Sequence, residues 1–147
     1  MASEIFPLVK TGGLADVAGA LPSALAAHGV AMRSLVPGYP VVMAGFRKRK
    51  PVLAYPDLQG GKASVHAATV EGLDLLVLDA PHLFNRPGGP YGDAGGRDWP
   101  DNWRRYAALS RVGADIAAGA VAGYRPDIVH VHDWQAAMVP AYMRYGD

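Results

Sequence analysis

There is no cysteine among the 147 residues. That excludes a disulfide framework, a thiolate nucleophile and a zinc–thiolate site, and it fits a cytosolic protein. No apolar run approaches the roughly 20 residues that a membrane span needs. Excess charge is lacking too: 14 basic residues face 13 acidic ones, for a formal net charge of +1. Bulk electrostatics therefore gives no reason to expect nucleic acid or an anionic membrane as a partner, and any anion site must be local. The opening "MASEIFPLVK" has no basic segment, apolar stretch and small-residue cleavage site in succession, so nothing suggests export and the cytoplasm is expected. What is present is a half-hydrophobic, globular composition long enough for one domain or a large part of one.

Leu14, Val17, Leu21 and Leu25 recur at three- and four-residue steps ahead of His28–Gly29, which predicts an amphipathic helix over 14–28. Pro22 predicts a kink or a fresh helix start inside it. "AMRSLVPGYP" reads as a buried strand ended by Pro37–Gly38. The basic run Arg47, Lys48, Arg49, Lys50 beside a proline reads as a solvated loop rather than a nucleic-acid patch. "KASVHAATV" and "LDLLVLDA" flank Glu71–Gly72 as a hairpin whose second arm is buried. "RPGGPYGDAGGRDWPDN" is too rich in glycine and proline for regular structure and forms a long loop around Tyr91. Trp103, Tyr106, Leu109, Val112 and Ile116 predict the longest helix, from Asn102 to about Val121, capped by Asp101 or Asn102. "RPDIVHVHDW" gives a short strand through Ile128, Val129 and Val131, then a helix through Trp134, Met138 and Tyr142 interrupted by Pro140. Alternating strands and helices predict an α/β fold with a mostly parallel sheet, binding ligands at the carboxyl ends of its strands.

Three places carry candidate chemistry. Lys10–Thr11–Gly12–Gly13 precedes a helix, where bare backbone, helix N–H groups and a lysine suit a phosphate; a tight structural turn is the plainer alternative. Neither G-x-x-x-x-G-K-[ST] nor G-x-G-x-x-G is present. In His130–Val131–His132–Asp133, strand spacing would put both imidazoles on one face, as a metal hydrolase requires, or leave two hydrogen-bonded histidines at a strand end. Asp133 there can cap the next helix or face the ligand crevice. In the glycine-rich loop, Tyr91 with Asp93 and Asp98 offers a stacking face and carboxylates to a sugar, or simply anchors the loop.

Together "ASEIFPLVKTGGLADVAGALPSAL", "RSLVPGYP", "GGPYGD", "DNWRRYAALS" and "RPDIVHVHDWQAAMVPAYM" closely resemble the N-terminal domain of bacterial glycogen synthases and plant starch synthases, over essentially the whole chain. The resemblance implies a GT-B glycosyltransferase, two Rossmann-like domains across a cleft, moving glucose with retention from ADP-glucose to the non-reducing end of an α-1,4-glucan such as glycogen or a maltooligosaccharide. It assigns Lys10 to the nucleotide sugar, Gly12 and Gly13 to its phosphates, and Tyr91 and Asp133 to the cleft near the transferred glucose and the acceptor. It also covers Asp16 and His132. No metal or other cofactor is required. In the family an apolar strand precedes the A-S-E motif, so a sheet lacking its first strand is expected here. Residues 1–147 are then expected to be part of the N-terminal catalytic domain without the C-terminal nucleotide-binding domain. The alternative is a non-catalytic glucan- or nucleotide-binding remnant.

Overall fold

A computed structural model describes residues 1–45 and 50–146; the basic run at Arg47, Lys48 and Arg49 lies outside them. Helix α1 (Gly13–Ala26) is followed by β1 (Ser34–Pro37), α2 (Pro40–Ala44), β2 (Leu53–Tyr55), β3 (Ala63–Val70), β4 (Leu73–Asp79) and α3 (Pro81–Phe84). The long α4 (Asn102–Ala117) comes next, then a single 3-10 turn (Trp134–Ala136) and α5 (Val139–Tyr145). The four strands form one sheet in the order β1-β4-β3-β2.

The sheet is mixed, which corrects the expectation of a mostly parallel one. Among the described residues only β1 and β4 run parallel, Ser34 opposite Leu75 through Pro37 opposite Leu78. Glu71 and Gly72 both adopt left-handed φ, 50° and 77°, the geometry of a tight hairpin turn, and this forces β3 antiparallel to β4. β2, a strand not anticipated from the sequence, adds antiparallel on the far side of β3. β4 is an interior strand, between β1 and β3, and Leu75, Leu76, Val77 and Leu78 are all essentially buried, as a strand covered on both faces requires.

Helix α4 packs its Tyr106, Leu109, Val112 and Ile116 side into the core, whereas Trp103, in its first turn, is 70 % exposed despite fitting the same stripe. The helix ends at Ala117, short of Val121. Helix α1 runs unbroken as one element through Pro22, so no fresh start occurs there. Its buried residues are Ala15 and Ala18, while Val17 points to solvent. The helix rests on the Ile5–Val9 turn, and the Phe6 N–H donates to the Ala15 carbonyl at 3.0 Å. A Cβ at Gly19 would stand 2.4 Å from the Phe6 carbonyl oxygen, so only glycine permits this contact. Pro140 falls in the first turn of α5, where its missing N–H costs nothing; it starts that helix instead of interrupting one.

The expected strand at 128–131 does not form. This segment carries no regular structure, and the backbone bonds seen here tie it to the N-terminal strap: the Met1 amino group donates to the His130 carbonyl at 2.7 Å, and the His132 N–H donates to the Met1 carbonyl at 3.2 Å. The next residue, Ala2, donates to the Leu35 carbonyl of β1 at 3.2 Å. Ile128 is 83 % exposed.

Candidate functional site

Because β1 and β4 are parallel, the loops leaving their carboxyl ends emerge at the same edge. The Gly38 N–H donates to the Leu78 carbonyl at 2.8 Å, and the Tyr39 ring meets Phe84 edge-on at 5.6 Å. Beside them lies a hollow of about 220 Å³ lined by Val9, Tyr39, Pro40, Phe84, Arg86 and Arg105.

The start of α1 is one wall of this edge. Gly12 occupies the N-cap with extended φ and ψ, no side chain caps the helix, and a Cβ on Gly12 or Gly13 would find nothing within 4 Å. Neither glycine of the pair has a left-handed φ. Its effect is to leave helix N–H groups bare and approachable, the requirement for anion binding. The Lys10 ammonium lies next to it and pairs with the Asp16 carboxylate at 2.6 Å, both about half exposed, with the Phe6 ring 5.8 Å away. An exposed pair of this kind is weak and exchangeable, so Lys10 is restrained without being consumed.

Tyr91 is placed by α4. Tyr106 and the buried Arg105 both donate to the Pro90 carbonyl, at 2.7 and 2.8 Å, and the Asn102 amide donates to the Tyr91 carbonyl at 2.7 Å. The Tyr91 ring stands 6.0 Å from Tyr106 and 6.1 Å from Trp134. Its hydroxyl donates to Glu4 and lies 2.9 Å from the Ser3 hydroxyl. Burial, then the Glu4 carboxyl, push the Tyr91 phenol well above its ordinary range, so it stays protonated. Asp93 serves the loop itself, accepting from the Gly95 and Arg97 N–H groups at 2.9 and 3.0 Å. Asp101, expected to cap α4, makes no cap bond; it pairs with Arg86 at 2.6 Å instead.

Asp133 stands out by its backbone, with φ 62° and ψ −176°, a combination that is essentially reserved for glycine. Its carboxylate accepts from the Trp134 N–H at 2.7 Å and is otherwise open to solvent. The His130 and His132 rings stack at 4.3 Å and do not converge on a common point, and no group of three metal-binding side chains exists among the described residues. Burial first, then neighbouring His130, lower the His132 pKa, which keeps that ring neutral near pH 7.

The three motifs thus meet physically. Thr11 of the glycine turn donates to Glu4, Glu4 accepts from Tyr91, the Tyr91 ring faces Trp134, and Trp134 donates its N–H to Asp133. Sequence reasoning missed Glu4, Ser3 and Trp134 as members of this chain. The available signal was a lone carboxyl in the otherwise apolar "ASEIF" just ahead of the glycine turn.

An uncapped helix start, an aromatic loop and an aspartate with a strained backbone thus lie together in an α/β domain with a mixed sheet. The profile of the starch synthase catalytic domain matches residues 1–147. A glycogen synthase of Mesorhizobium japonicum is 74 % identical over 97 % of the chain, and glycogen synthase 1 of Rhizobium meliloti is 61 % identical over 99 %. The chain spans about 30 % of the length of these relatives. In structure it is similar to the catalytic domain of starch synthase IV from Arabidopsis thaliana bound to ADP and acarbose, with a TM-score of 0.70 and 30 % identity over 98 % of this chain and 29 % of that one. The chain belongs to the starch synthase catalytic domain family. Among the described residues, no helix is long and apolar enough to cross a membrane.

Proposed function

We propose that this chain forms one wall of a GT-B glucosyltransferase cleft, in which glucose passes from ADP-glucose to the non-reducing end of an α-1,4-glucan with retention. The observation that carries this is the single hydrogen-bonded and ring-contact chain from Thr11 through Glu4, Tyr91 and Trp134 to Asp133, which gathers a phosphate-type turn, a sugar-stacking ring and a carboxylate at one sheet edge. The similarity to a starch synthase bound to ADP and acarbose supports the same ligand classes here.

Each residue has a distinct part in this reading. Cleavage of the glycosyl–phosphate bond builds negative charge on the departing diphosphate, and Lys10 with the bare N–H groups at Gly12 and Gly13 stabilises it. Asp16 holds Lys10 until phosphate replaces it. The transferred sugar becomes oxocarbenium-like; the Asp133 carboxylate stands near it or orients the acceptor hydroxyl, and Tyr91 offers its ring to a sugar face. His132, kept neutral, is a hydrogen-bond partner for a sugar hydroxyl. No metal or cofactor enters. The reading assigns residues 1–147 to an N-terminal Rossmann-like domain whose nucleotide half is supplied by a second domain. It places the reaction in the cytoplasm with no nucleic-acid or membrane partner.

The test uses a hybrid in which these residues replace the matching segment of the Mesorhizobium japonicum glycogen synthase. The hybrid is expected to elongate maltooligosaccharide from ADP-glucose, and Lys10→Ala to lower kcat/KM about 100-fold, the usual cost of a lost charge-stabilising group. The isolated chain is expected to show no turnover. A folded hybrid without activity would sink the reading. Calorimetry then separates a glucan-binding remnant from a nucleotide-binding one.

A further inference from the structure

Glu4 is only 2 % exposed, yet it belongs to neither the helix start nor the loop that it joins. One carboxyl oxygen accepts from the Thr11 backbone N–H. The other accepts from the Thr11 hydroxyl at 2.6 Å and from the Tyr91 hydroxyl. Ser3, itself fully buried, meets that hydroxyl from the other side at 2.9 Å. All the hydrogen-bonding of the Tyr91 hydroxyl seen here is therefore directed inward, and what Tyr91 presents outward is its ring. A buried carboxyl is costly unless its partners are complete, and here its partners are the two functional loops.

We propose that Glu4 is a positioning residue for the transfer reaction, fixing the Tyr91 ring and the Lys10–Gly13 turn relative to each other so that sugar and diphosphate are held in one register; this rests on the function proposed above. Glu4 does not touch substrate. It acts through Tyr91 on one side and Thr11 on the other, as outer groups orient the residues that meet a ligand.

The hybrid enzyme supplies the kinetic test, assayed at temperatures where circular dichroism shows every variant folded. Glu4→Gln is expected to lower kcat/KM for ADP-glucose about tenfold and Glu4→Ala about 100-fold, the scale of a small misplacement of reacting groups. Asp74→Asn, which breaks only the surface pair with Arg33, is the control and is expected to be unaffected. Tyr91→Phe deletes the same bond from its other end, so the Glu4→Gln/Tyr91→Phe double variant is expected to lose no more than the worse single. Multiplicative losses, or a folded Glu4→Ala with unchanged kinetics, would overturn the proposal.

A second measurement does not depend on activity. In the 147-residue chain, amide exchange at Thr11 is expected to quicken in Tyr91→Phe as well as in Glu4→Ala, because the carboxyl couples the two loops. Unchanged Thr11 protection in Tyr91→Phe defeats the coupling. If the unsubstituted hybrid fails to elongate glucan, the functional reading falls and this exchange result still decides whether Glu4 links the loops.

Discussion

Asp133 holds a backbone conformation that costs an ordinary residue on the order of 1–3 kcal/mol, and the strain sits where the 130–132 segment hands over to the 3-10 turn. A glycine would occupy the same φ and ψ freely, so stability alone does not select aspartate. Its carboxylate recovers part of the cost by accepting from the Trp134 N–H. The two contributions separate by substitution. Asp133→Gly loses the bond and the strain together and is expected to leave stability nearly unchanged. Asp133→Ala loses the bond and keeps the strain, and is expected to be less stable than Asp133→Gly by about 1–2 kcal/mol. Urea denaturation of the two variants measures the difference; equal stabilities would show that the backbone is not strained. Residue types and their spacing made Lys10, the glycines, Tyr91 and Asp133 visible in the sequence. Glu4 was not, because its partners lie 7 and 87 residues away and a single carboxyl carries no periodicity.

At the scale of elements, the loop between α3 and α4 is closed by Arg86 and Asp101, a two-bond pair at 2.6 Å per bond, each partner about a quarter exposed. The Arg86 guanidinium also lies 5.2 Å from the Trp99 ring, so the pair gathers both ends of the segment that carries Tyr91. The Arg86 hydrogen bonds hold the Asp101 carboxyl below its ordinary value, against the opposing pull of burial. A carboxyl whose folded pKa is depressed contributes stability that is complete above its unfolded pKa of about 3.9 and is lost as pH falls through the lower, folded value. Denaturation midpoints are therefore expected to drop below about pH 4 in the parent chain, and Asp101→Asn should lower the neutral-pH midpoint while flattening that acid slope. An unchanged slope in Asp101→Asn would assign the acid sensitivity to other carboxyls. This clamp also shows where sequence reading fails. Asp101 stands in the N-cap position by pattern, but a bidentate arginine outbids the helix for its carboxylate. The hairpin at Glu71–Gly72 and the buried β4 were legible because both signals are local. β2 was not, since three residues flanked by irregular chain become a strand only through pairing with β3.

For the molecule as a whole, the decisive feature is how residues 130–133 are attached to the sheet. They bring His132 and Asp133 to the site edge, yet the sequence pattern of alternating apolar residues overstated their bonding, because a strand is made by its neighbours as much as by its own composition. Among the described residues, the backbone bonds that join this segment to β1 run through Met1 and Ala2. Beside these bonds is a small hollow of about 60 Å³ bordered by Met1, Leu35, Ile128 and His130, and Met1 packs against the core. Ala2→Pro removes the one N–H that donates to Leu35, leaves the Met1 bonds in place, and changes a 3 % exposed position by only a few carbon atoms. Losing a buried backbone bond costs about 1–3 kcal/mol; here the loss should concentrate in the strap. The expected result is faster amide exchange at His132 and a displaced Asp133–Trp134 junction, with protection at Leu75–Leu78 in β4 retained. Uniformly faster exchange across β4 would instead mean that the strap is part of the global core. In that case the site edge and the sheet unfold as one cooperative unit.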